Sequence, residues 1–67
     1  MNRYQINVMN TKIYETALNE VSAMKAIGIF AAIGEMIDYV QVNGADAWIY
    51  KVELNGNMVL AYVKRVG

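Results

Sequence analysis

Residues 23–37 read AMKAIGIFAAIGEMI, the most apolar run of a 67-residue chain, and the way this run folds decides the architecture. Ala26, Ile27, Ile29, Phe30, Ala31, Ala32, Ile33, Met36 and Ile37 cover every side of a helical wheel. A helix apolar on all sides has to be buried on all sides. A chain this short has little interior for it, because it hides only about 60% of the surface its unfolded form exposes. Three readings stay open. The run is a helix packed against a second copy, or a helix broken near Gly28 whose second half folds back on a sheet, or in part a central strand. Glycine inside a helix costs about 1 kcal/mol relative to alanine. Gly28 and Gly34 therefore mark breaks or places where another backbone comes close.

Working outward toward the N-terminus, residues 13–24 carry a helical pattern. Ile13, Tyr14, Ala17, Leu18, Val21 and Met24 share an arc of about 140°, and Asn10 or Thr11 stands where an N-cap is needed. Before that, residues 3–9 alternate. Tyr4, Ile6 and Val8 point one way and Arg3, Gln5 and Asn7 the other, the period of a half-buried strand.

On the other side, residues 39–42 read as a short strand or as the end of a continuous helix, closed by Asn43-Gly44. Residues 47–54 and 58–66 form a hairpin over Asn55-Gly56, a dipeptide suited to a turn with two positive φ angles. A two-residue loop sets Val52 opposite Val59, Tyr50 opposite Ala61 and Trp48 opposite Val63. Ile49, Lys51 and Glu53 then share the other face with Met58, Leu60, Tyr62 and Lys64. A three-residue loop instead gathers Trp48, Tyr50, Leu60 and Tyr62 on one face. The expected fold is a single α+β domain over residues 1–67, of order β-α-β-β with room for one more strand. One long or broken helix packs on an antiparallel sheet of three to four strands.

The composition narrows the chemistry. There is no Cys and no His, which removes disulfides, the usual general base, the best nucleophile and nearly all structural zinc. The six carboxylates are scattered; Glu35 and Asp38, three apart, read as the wet edge of the apolar run. No phosphate-binding glycine loop is present. An enzyme is not expected, nor a cofactor, nor a metal. The zero net charge argues against generic nucleic-acid binding, where phosphate contacts supply most of the affinity. The apolar stretch 26–34 is far shorter than the roughly 18–20 residues that span a bilayer. The N-terminus lacks the apolar core of a secretory leader, and a cytoplasmic location without membrane contact is the expectation.

The order β-α-β-β in under 70 residues resembles the tautomerases of the 4-oxalocrotonate type. Those work through an N-terminal Pro, and this chain contains no Pro, so their chemistry does not carry over. The order, with Trp48 in a hairpin strand, is also similar to dodecin, a flavin-binding assembly. That resemblance implies a stacking platform at a subunit interface, with only Trp48 matching in kind.

For so small a core, oligomerisation is the remaining source of stability, and 57% hydrophobic residues favour it. The expected function is that of a small, non-enzymatic, homodimeric or larger interaction protein. It acts as a regulator or inhibitor on a protein partner and is of the kind phages and mobile elements encode. Ile29, Phe30, Ile33, Ile37, Ile49 and Leu60 are the expected self-association residues. Trp48, Tyr50, Lys51, Tyr62, Lys64 and Arg65 are the expected residues for a partner or ligand. Aromatic and Arg side chains dominate such surfaces. Nucleic acid bound on an aromatic and basic sheet face ranks second, and a flavin-like ligand at a subunit interface third.

Overall fold

A computed structural model of the chain describes residues 1–29 and 33–67. Pairs of consecutive residues with positive φ punctuate it at three places. These are Met9 and Asn10 (+48° and +63°), Asn43 and Gly44 (+53° and +81°), and Asn55 and Gly56 (+54° and +81°). Such pairs make the tight turn whose twist matches that of two antiparallel strands. The first joins β1 (Asn2–Val8) to β2 (Thr11–Ala17), the second β3 (Ile33–Val42) to β4 (Ala45–Leu54), and the third β4 to β5 (Asn57–Arg65). One helix, α1 (Glu20–Ala26), stands between β2 and β3. The strands form a single antiparallel sheet in the order β2-β1-β5-β4-β3.

This architecture corrects the expected fold. The described residues are mostly sheet, five strands with one seven-residue helix, not a long helix on three or four strands. The order is β-β-α-β-β-β, so the topological resemblance to tautomerases and to dodecin falls away. Residues 11–17, expected to be helical, are a strand. Ile13 and Tyr14 face opposite sides of it, and Ile13 pairs with Ile6 across the hairpin. The β-branched and aromatic side chains of TKIYETA suit a pleated surface. Leu18, placed on the apolar arc of that expected helix, is 71% exposed.

The helix itself is short because it is stopped at both ends. Asn19 caps it, its Oδ1 accepting from the backbone N–H of Ser22 (2.8 Å). At the other end Gly28, with φ +90°, donates its N–H to the Lys25 carbonyl, and Ile29 donates to that of Met24. This pair of bonds is a Schellman stop. Met24 and Ile29, the two residues such a stop brings together, are both buried in the core. The run 23–37 is thus no continuous helix. Its first four residues end α1, Gly28 turns the chain, Ile29 is buried, and residues from Ile33 onward are β3, at the sheet's edge and not its centre. Phe30 lies outside the described residues, as does the side chain of Ile33.

The core sits between α1 and one face of the sheet, called here the inner face. Tyr4, Ile6 and Val8 of β1, Ala17 of β2, Ala61 and Val63 of β5, and Tyr50 and Val52 of β4 close on Ala23 and Met24. The hairpin of β4 and β5 has the two-residue register: Trp48 opposite Val63, Tyr50 opposite Ala61, Val52 opposite Val59. Tyr50 reaches past the core to α1, its hydroxyl donating to Glu20 Oε2 (2.8 Å).

Candidate functional site

Side chains alternate across a strand, so the registers divide the sheet into two surfaces. The inner face is occupied by α1 over β2, β1 and β5. The opposite, outer face is met by no helix among the described residues. It is built in rungs. Tyr14, Gln5, Lys64, Ala47 and Val40 stand side by side across the five strands, and the next rung holds Lys12, Asn7, Tyr62, Ile49 and Asp38. Leu60 and Lys51 follow, then Met58 and Glu53.

The outer face has two halves of different chemistry. Over β3, β4 and β5 it is richer in apolar side chains, which stand among Asp38, Lys51, Glu53 and Lys64. Val40, Val42, Leu60 and Met58 are exposed, Ile49 and Tyr62 are half-buried, and Ala47 forms a fully buried floor. Over β1 and β2 it is a hydrogen-bonded polar tract. Asn7 Nδ2 donates to Gln5 Oε1 (3.1 Å), and Gln5 Nε2 donates to the Tyr14 hydroxyl (2.8 Å). The Arg3 guanidinium lies 5.1 Å from the centre of the Tyr14 ring, within cation–π range. Charge is segregated too. Arg3, Lys12, Lys51 and Lys64 all fall on the outer face, against Asp38 and Glu53 among the described side chains. The chain's overall neutrality conceals this.

The six residues expected to bind a partner therefore do not form one site. Lys51, Tyr62 and Lys64 share the outer face, while Trp48, Tyr50 and Arg65 belong to the inner one. Tyr50 is a core residue. Its burial and then its bond to Glu20 push its hydroxyl up to about 12. Trp48 is half-buried, its ring 6.0 Å from that of Tyr4 and 5.8 Å from that of Tyr39. Beside this aromatic group Asp46 collects three partners. Its Oδ1 accepts from the Tyr39 hydroxyl (2.5 Å) and from Gln41 Nε2 (3.3 Å), and Oδ2 meets Arg65 Nη2 at 3.5 Å. The Tyr39 bond is the main reason that the Asp46 carboxyl titrates below its usual value and the Tyr39 hydroxyl above. β1 and β5 are neighbours, yet Arg3, Lys64 and Arg65 do not gather, since Arg65 turns to Asp46 on the inner face.

The expected self-association residues scatter as well. Ile29 lies in the monomer's own core, out of a partner's reach. Ile49 and Leu60 sit on the outer face, and Ile37 is half-exposed at an irregular step of β3. Gln5, Asn7, Tyr14, Val40 and Val42 belong to the same surface and were not among the candidates. The alternation of residues 3–9 shows the first two facing away from the core, and knowledge of β2 as a strand is needed for the third.

An open groove of about 600 Å³ lies where the β3–β4 turn meets the end of β5, lined by Asn2, Val42, Asn43, Lys64, Arg65 and neighbours. No three of His, Cys, Asp and Glu come together among the described residues. No described helix is long and apolar enough to cross a membrane. No family model matches the chain, and neither a curated protein nor a solved structure is significantly similar to it.

Proposed function

We propose that the chain is a non-catalytic interaction module that self-associates and acts on a protein partner, as a small regulator or inhibitor does. The observation that carries this reading is the apolar half of the outer face. Val40 and Val42 on β3 and Leu60 and Met58 on β5 are exposed, and half-buried Ile49 of β4 and Tyr62 of β5 lie between them, on a face that the chain's own helix does not cover. Contiguous apolar surface of this kind marks interaction sites. The test places a photo-crosslinking residue at Leu60, in that tract, and at Thr16, on the outer side of β2. Crosslinks to one discrete protein from position 60 and not from position 16 support the reading. Equal labelling from both positions overturns it.

A second reading has an observation of its own. Arg3, Lys12, Lys51 and Lys64 share the outer face with Tyr14 and Tyr62, a combination suited to single-stranded nucleic acid. Phosphates meet cations there and bases stack on rings, at about 1–3 kcal/mol per base. Trp48 is on the other side of the sheet, so its fluorescence is a poor reporter. Anisotropy of a labelled oligonucleotide at two salt concentrations decides the matter. No binding at low salt eliminates this reading.

A further inference from the structure

We propose that β3 is the docking edge for a second copy of the chain, which joins it antiparallel, β3 against β3, with Val40 on the twofold axis. The proposal deepens the self-association reading above and rests on it.

The sheet has two edges, and they are unlike. β2 is guarded: α1 packs against it, and its outer side chains are Lys12, Tyr14 and Thr16. β3 is a ten-residue strand with Met36, Ile37, Tyr39, Val40 and Val42 all exposed. An exposed, long, apolar edge strand is a template for pairing with another chain.

The backbone sets the register. The two-residue turn at Asn43-Gly44 makes Val42 and Ala45 a hydrogen-bonded pair. Bonded and non-bonded pairs alternate along an antiparallel ladder. Val42, Val40 and Asp38 therefore bond to β4, and Tyr39 and Gln41 turn their N–H and C=O groups outward. Reflected through a twofold axis at Val40, Tyr39 of one copy faces Gln41 of the other. The outward groups of both residues meet as bonded pairs, making four hydrogen bonds. Val40 meets its own copy, and Asp38 meets Val42, so no like charges oppose each other. The twofold arrangement closes on itself, whereas β3 against β2 would run on as a fibre. Pairing stops at Asp38, because the register of β3 shifts between Ile33 and Met36 and again between Met36 and Asp38.

One contact already competes with the pairing. The outward N–H of Tyr39 donates to Asp38 Oδ1 (2.8 Å). That carboxylate has to leave before the four bonds can form. With a pairing segment of only five residues, the interface is smaller than the about 1,200 Å² of a standard complex. The dimer is accordingly a weak one, populated at high micromolar concentration. Once formed, its sheet has ten strands, and the apolar half of the outer face is doubled across the axis.

The chain has no cysteine, which makes the test direct. In a non-bonded antiparallel pair the Cα atoms are about 4.5 Å apart, inside the disulfide range. Under mild oxidation Val40→Cys should form a linked dimer at least tenfold faster than Leu60→Cys, an exposed control on the outer face. Sedimentation equilibrium on the full chain gives the second arm. Gln41→Pro removes an outward N–H that has no backbone partner on β4 and none among the described residues, and proline is accepted at such edge positions. Circular dichroism should be unchanged and the mass should fall to that of a monomer at every concentration. Asp38→Ala, which frees the Tyr39 N–H, should lower the dissociation concentration several-fold. A wild-type dimer indifferent to Gln41→Pro, with Val40→Cys no faster than the control, overturns the edge and leaves self-association standing. A chain that stays monomeric, with Asp38→Ala monomeric too, overturns both.

Discussion

The Tyr50 hydroxyl donates to Glu20 Oε2 at 2.8 Å, and this bond ties β4, an interior strand, to the first turn of α1. Burial holds the tyrosine proton so firmly that it titrates at about 12 in place of 10. Because the folded value is raised, the folded state keeps the proton longer than the unfolded chain does. The resulting stability is fully present below pH 10 and is lost as the pH rises from 10 toward 12. Tyr50→Phe should cost about 1 kcal/mol at neutral pH. It should also flatten the decline of the melting temperature above pH 10, read by thermal unfolding across an alkaline series.

At acid pH the group to watch is Asp46. Its folded value lies below 3.8, held there first by the Tyr39 hydroxyl and then by Gln41. Its contribution is present above the unfolded value and is lost as the pH falls through the folded one. Tyr39→Phe should move the Asp46 midpoint upward toward 3.8, measured by carboxyl-carbon NMR titration. No movement would show that the bond does not persist in solution.

The turn between β1 and β2 is the costliest of the three. The other two use Asn-Gly, whereas here Met9 and Asn10, both with side chains, take the left-handed region. An L-residue there costs about 1–2 kcal/mol, and asparagine followed by glycine suits this turn best. The double change Met9→Asn, Asn10→Gly should raise stability by about 1 kcal/mol in urea denaturation. An unchanged midpoint would refute it.

Gly28 should tolerate no side chain, although space is not the reason. A methyl group there would meet nothing within 4 Å. The obstacle is φ of +90° at the helix stop. Gly28→Ala should destabilise the fold by about 1–2 kcal/mol, seen as a lower urea midpoint with unchanged slope.

What the sequence revealed depends on where its periods were unambiguous. Tyr4, Ile6 and Val8 alternate cleanly and are buried on β1, and Asn55-Gly56 makes the turn its composition announces. The β1–β2 hairpin was hidden because Met9-Asn10 does not look like a turn. Ile13, Ala17, Val21 and Met24 also fall at helical spacing by coincidence. The first two belong to a strand and the last two to a helix that starts after Asn19. In the apolar run, Gly28 marks the break, but its stop becomes visible only through the bonds at Met24 and Lys25. The candidate residues are divided between the two faces by parity. Trp48 and Tyr50 cannot face the same way as Lys51 on one strand, and the β1 and β2 half of the surface could not be assembled while β2 was read as a helix.

The sheet order has a kinetic consequence. Three hairpins are local affairs, each closed by a two-residue turn. The seam between β1 and β5, where Ile6 meets Val63, joins the most distant strands and lies at the middle of the structure. Loop closure over such a span is slow compared with making a hairpin. The β1–β5 seam is therefore expected to close after the hairpins on either side of it, and folding rates of Ile6→Val and Val63→Ala would test that order.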